Sequence, residues 1–189
     1  MRLLPALLVF TLAGATAAPA HAMLCAADQL FSLTVDGENG SFNGMSHSGT
    51  LLVLRNLGPE ACTVAGFPQI FFTDAAGATL PITRAVPRGM HPGPVVLPVT
   101  ILPEAELTSR LRWVSGEVYP HSQCFTPATL VVVIGGRKVT TPLAARICGP
   151  ANKVTYDMTR LVPDPRKHLH LRGADHSHDG GMHFNAHCP

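Results

Sequence analysis

Residues 105–114 read Ala-Glu-Leu-Thr-Ser-Arg-Leu-Arg-Trp-Val, and this stretch decides the fold. In an extended chain Ala105, Leu107, Ser109, Leu111 and Trp113 share one face, while Glu106, Thr108, Arg110 and Arg112 share the other. A two-residue period with charge confined to one side is the signature of a strand that buries one face and wets the other. Outward from it the same kind of segment recurs: LFSLTVD (30–36), GTLLVLRNL (49–57), QIFFTD (69–74), VVLPVTIL (95–102), TLVVVI (129–134) and KVTTPL (138–143). Gly, Pro and Asn separate these runs at intervals of about ten residues, the punctuation of an all-β sandwich or barrel. No amphipathic helix pattern interrupts them. The expected fold is an immunoglobulin-like antiparallel β-sandwich of about seven to eight strands.

Two strand pairs carry hairpin signals, and these give a disulfide expectation. TLVVVI and KVTTPL are joined through Gly135-Gly136, a two-residue turn signal. LFSLTVD and GTLLVLRNL flank the glycine-bearing GENGSFNG (37–44). Cys124 and Cys148 lie at similar distances from the first turn, on opposite arms, and Cys25 and Cys62 lie outside the second pair in the same way. Antiparallel pairing closes both sets, so of the three connectivities open to four cysteines we expect Cys25–Cys62 and Cys124–Cys148. Without a Cys-x-x-Cys pair the bridges read as braces, each contributing roughly 2–5 kcal/mol in a small exported domain.

Export follows from the first 22 residues. Met-Arg is succeeded by LLPALLVFTLAGATAAPAHA, a positive start, an apolar stretch and a small-residue end with Ala20-His21-Ala22 as the cleavage site. The unbroken apolar part is too short for a membrane span, which needs roughly 20 residues, and Leu24 before Cys25 is not the small residue a lipid anchor requires. The expected organisation is a signal peptide (1–22), a sandwich (23–158) and a C-terminal tail (159–189), in a secreted or periplasmic protein with no membrane span after processing. Charged residues make up 14% of the chain and the net charge is +2. A usual charged share is about 25%, and no basic patch for nucleic acid emerges. One Trp and two Tyr give no stacking platform for single strands.

The order of features resembles a known family. CAADQL (25–30), SGTLLVLRNLGPEACTVAGFPQIFF (48–72), the DAAGATL turn (74–80), AELTSRLRW, Cys124 with FTPATLVVV, and a closing Cys148-Gly149 resemble the exported bacterial domain of unknown function family 4232. The most specific part is Asn56-x-Gly58 leading to Cys62-Thr63 and Gly66-Phe67-Pro68. The resemblance covers about Cys25 to Pro150. It implies a secreted or cell-envelope β-sandwich and brings no activity, cofactor or partner with it. Family members commonly finish soon after the last cysteine, whereas here about forty residues follow Cys148.

No catalytic constellation stands out in the body. Ser48, Ser109, His47, His91, His121, Asp36 and Asp74 could supply a nucleophile, base or orienting acid, but none sits in a nucleophile-elbow context. Asp36-Gly37, Asn43-Gly44 and Asp74-Ala75-Ala76-Gly77 read as turns. Paired carboxylates would have to come from Glu104, Glu106 or Glu117. Met45 with His47, and Met90 with His91, are soft copper(I) ligands in loose pairs that also suit ordinary loops. The prolines at 87, 92, 94, 98 and 103 mark an edge strand or a loop crossing between sheets, with a polyproline ligand as the alternative.

The tail carries the one specific chemistry. After Asp164-Pro165, RKHLHLRGADHSHDGGMHFNAHC (166–188) holds six of the ten histidines: His168, His170, His176, His178, His183 and His187, with Cys188 beside the last. Imidazole titrates near pH 6.5, so at neutral pH these rings offer lone pairs to a metal. In an extended His-x-His both rings project to one side and reach one ion. Zinc, copper and nickel are the metals this donor set suits, with Asp175 and Asp179 as oxygen donors. The spacing is not that of a zinc finger. Few apolar residues are present to build a core, and we expect the segment to be flexible without ligand. Cys188 is a further ligand or a partner for another chain. The expected function is a noncatalytic exported protein that needs no cofactor for its fold and holds Zn, Cu or Ni in its tail. The alternative is a cell-envelope adhesion or protein-interaction module.

Overall fold

The computed structural model describes residues 23–86 and 95–164. The strands are β1 (Phe31–Asp36), β2 (His47–Asn56), β3 (Cys62–Val64), β4 (Gln69–Thr73), β5 (Ile82–Arg84), β6 (Val99–Ile101) and β7 (Glu106–Val114). They continue with β8 (Ser122–Phe125), β9 (Thr129–Ile134), β10 (Arg137–Pro142), β11 (Ile147–Pro150), β12 (Val154–Met158) and β13 (Val162–Pro163). The protein is all-β, and the strands beyond the expected seven to eight are two- to five-residue pieces that local periodicity is too short to reveal.

β7 is the axis of the larger sheet. It pairs antiparallel with β2 along its whole length, from Glu106 opposite Arg55 to Val114 opposite His47. Its other edge is shared by β11, β12 and β13. The expected alternation holds at Leu107, Ser109, Leu111 and Trp113, all buried, and at Arg110 and Arg112, both exposed. Thr108 departs from it and is buried. Val53 and Val162 partner it on either side, so a short side chain in a central strand is shaded by its neighbours. Facing this sheet is a smaller one, ordered β10-β9-β4, and β3 and β6 form a third, two-stranded sheet. Leu52, Leu54, Leu107, Leu111, Phe72, Leu130, Val132 and Ile147 belong to one buried cluster between them. Phe72 meets Tyr156 edge-on at 5.2 Å, and burial pushes the Tyr156 phenol up to about 12 against the opposing pull of Arg84.

Both expected hairpins form. β1 and β2 pair from Phe31 opposite Asn56 to Asp36 opposite Leu51. β9 and β10 pair around Gly135 and Gly136, whose φ values of 55° and 79° are the left-handed pair a two-residue turn demands. Cys25 is bonded to Cys62 and Cys124 to Cys148, with Cα atoms 4.8 and 4.1 Å apart. The local geometry differs from simple hairpin closure. Beyond β9 and β10 the arms leave the small sheet, and Cys124 and Cys148 face each other on β8 and β11 of the large one. The first bridge lies at a parallel contact, Leu24 beside Thr63, with the Cys25 N–H donating to the Thr63 carbonyl at 3.0 Å.

One boundary shifts. The sandwich runs past Met158: Leu161 is fully buried, β13 joins β7, and Asp164 is buried with its N–H donated to the Glu106 carbonyl. Among the described residues of the proline-rich stretch only Val99–Ile101 is a strand, paired with β3 alone, which agrees with an edge or crossing segment.

Candidate functional site

One end of the sandwich gathers three connections. They are the β1–β2 loop, the end of β7 at Ser115, and residues 143–146, which carry the chain from the small sheet to the large one. Between them lies a cleft of about 450 Å³, within the size range of small-molecule sites. Local sequence explains why it opens here. The core face of β2 runs Ser48, Thr50, Leu52, Leu54, so it is polar at this end and fills with leucine only further in. Gly37, Gly44 and Gly49 add no side-chain bulk, and Ala144 and Ala145 add little. Trp113, opposite Ser48, is the large side chain of the lining. It is 4% exposed, and its Nε1–H has no hydrogen-bond partner among the described residues.

The polar groups around the cleft are partly engaged. Ser48 Oγ donates to Asn43 Oδ1 at 2.8 Å, and Thr50 Oγ1 donates to the Asp36 carbonyl at 3.0 Å. Arg146 pairs with Glu117. His47 lies exposed at the mouth. Met45, Val118 and Tyr119 are exposed on the two loops that bound the same end; Gly116, before Val118, lies against Ser46.

The other residues singled out from sequence are dispersed. Ser109 Oγ donates to the Thr159 carbonyl at 2.6 Å. Asp36 accepts from the Glu38 N–H, and Asp74 from the N–H groups of Ala76 and Ala78, both ordinary turn arrangements. Ser48 and His47 are adjacent on one strand and therefore project to opposite faces. His121 sits in a left-handed turn at φ 57°. Glu104 and Glu106 are at one end of β7 and Glu117 is beyond the other, about 25 Å away by strand rise. Glycosidic pairs stand roughly 5–9.5 Å apart, so neither residue can pair with Glu117, and Glu104, the neighbour of Glu106, is held in an ion pair with Arg55.

Among the described residues no group of three or more His, Cys, Asp and Glu side chains is gathered. The signal segment 1–22, Met90 and His91, and the whole proposed ligand set His168, His170, His176, His178, His183, His187 and Cys188 lie outside the described residues. Sequence reasoning missed the cleft. Its one available signal was the polar start of the β2 core face beside the lone tryptophan.

The family model for Domain of unknown function (DUF4232) matches residues 25–161, most of the chain. The chain is a DUF4232 protein. The match begins at Cys25 and ends at buried Leu161, close to the limits of the sandwich itself. No curated protein and no solved structure matches it. The motif Asn56-x-Gly58 that carries the resemblance turns out to be a buried polar hub. Asn56 Oδ1 accepts from Gln29 Nε2 and from the Gly58 N–H, both at 2.9 Å, while Asn56 Nδ2 donates to the Glu60 carbonyl at 2.8 Å. This ties the segment after Cys25 to the turn before Cys62. The two disulfides of the DUF4232 domain suit an oxidising, exported environment. Among the described residues no helix is long and apolar enough to cross a membrane.

Proposed function

We propose that the protein is a noncatalytic exported carrier whose sandwich anchors a transition-metal-binding tail, secreted or held in the periplasm. The observation that carries this reading is the distribution of its chemistry. Ser48, Ser109, Asp36 and Asp74 in the body each serve a structural hydrogen bond, whereas six histidines and Cys188 are concentrated after Asp164. Zn²⁺, Cu²⁺ and Ni²⁺ suit imidazole donors. Because protons compete for the same nitrogens, affinity falls below about pH 6.

Calorimetry on mature protein purified without an affinity tag, against the same chain ended after Asp164, tests this. The full chain is expected to bind zinc or copper at a defined stoichiometry, and the shortened chain is expected to lose it. Equal, weak binding by both would remove the proposal. A second reading, an envelope interaction module with an incidental tail, is favoured by the exposed Met45, Val118 and Tyr119 at one end of the sandwich. Large apolar groups on loops at a sandwich end are a common form of contact surface.

A further inference from the structure

We propose that the cleft lined by Trp113 and Arg146 is a binding site for a small organic carboxylate with an apolar body. The apolar half of the lining is Val35, Leu143, Ala144, Ala145 and the Trp113 ring. An aliphatic or aromatic group seated there leaves water for contact with these apolar side chains.

The polar half decides the charge of the ligand. Among the described residues no carboxylate lines the cleft, and Arg146 is the one lining side chain with a permanent charge. The hydroxyl protons of Ser48 and Thr50 are already donated. Trp113 Nε1–H also lacks an acceptor among the described residues, but its nitrogen is shielded from solvent, so what Trp113 offers a ligand is its ring. A lining with one guanidinium and no carboxylate favours an anionic ligand over a neutral or cationic one.

Arg146 is also available for exchange. Its partner Glu117 is not part of the lining, and the two side chains are 51% and 63% exposed. Exposed pairs of this kind hold weakly. The planar guanidinium has donors for a second carboxylate. A ligand carboxylate at the rim therefore competes with or supplements Glu117. This sets opposite signs for two substitutions: Arg146→Gln weakens binding and Glu117→Gln strengthens it. No residue invoked here belongs to the tail, so the proposal stands or falls separately from the metal reading.

Trp113 is the only tryptophan, so the tryptophan fluorescence comes from this one residue of the lining. The full mature chain is titrated with phenylacetate and hexanoate, with phenylacetamide and hexanamide as neutral counterparts. Calorimetry on the same solutions detects a ligand that seats without disturbing the indole. The expected result is saturable binding of a carboxylate, with the matching amide at least about ten-fold weaker, the scale of a charge-assisted hydrogen bond. Arg146→Gln is expected to erase that preference and Glu117→Gln to tighten carboxylate binding a few-fold. Both replaced side chains are exposed, and circular dichroism verifies that the variants fold. Absence of saturable binding by both methods overturns the proposal, as does equal binding of acid and amide that ignores Arg146→Gln.

Discussion

Replacing Asn56 with Ala removes the polar hub beneath the first disulfide, and its cost can be worked out bond by bond. Asn56 is fully buried, and three hydrogen bonds end on its side chain. The Gly58 N–H that it receives is buried and, once unpaired, costs about 1–3 kcal/mol. The bonds to Gln29 Nε2 and the Glu60 carbonyl are part-buried, and water replaces them incompletely, at about 1 kcal/mol each. The sum is about 3–5 kcal/mol, a large share of the roughly 5–15 kcal/mol that holds an ordinary domain. Urea unfolding of the oxidised protein, followed through Trp113 fluorescence, should show the unfolding free energy fall by that amount, as a lower midpoint with an unchanged slope. Asn56→Asp sharpens the test. It keeps the acceptors for Gln29 and Gly58 but turns an oxygen toward the Glu60 carbonyl, and only the protonated acid can donate there. Asn56→Asp should therefore lie well below the parent at pH 7 and approach it toward pH 4. A loss under 1 kcal/mol for Asn56→Ala would refute the hub, because it would mean that water supplies every bond Asn56 makes.

Two further outcomes follow from single positions. Gly135→Ala places a Cβ at a residue with φ 55°, where it would run into the Cys25 carbonyl oxygen; a loss of about 1–3 kcal/mol in the same urea assay is expected, and an unchanged midpoint would contradict it. Tyr156 has a folded pKa raised from 10.0 to about 12. Its contribution to stability is therefore complete below pH 10 and is lost as pH rises toward 12, with a slope of up to about 1.4 kcal/mol per pH unit. Tyr156→Phe should flatten the stability profile in that window relative to the parent, and identical slopes would rule this origin out.

The family signature and the fold were legible for different reasons. The period of residues 105–114 and the Gly135-Gly136 turn are local, and each states its conformation within a few residues. The cysteine partners could be inferred because distance from a turn is preserved along both arms of a hairpin. Which sheet those arms entered was not legible. Ser122–Phe125 and Ile147–Pro150 are four residues each, and their pairing is set by the edge that β7 leaves open. The cleft was hidden for the same reason, since its walls come from residues 35–50, 113–115 and 143–146, which meet only after both sheets have stacked.

The sequence by itself determined an all-β chain, its two hairpins and the residues that its disulfides join. It also concentrated six histidines in one segment after Asp164. Tertiary structure decided that the arms cross between sheets, that the domain extends to Asp164, and that Trp113, buried with the leucine core, also borders a cleft at the sandwich end. Side-chain alternation and turn chemistry act over a few residues, whereas strand order and the space between sheets depend on contacts between distant segments that no local pattern encodes.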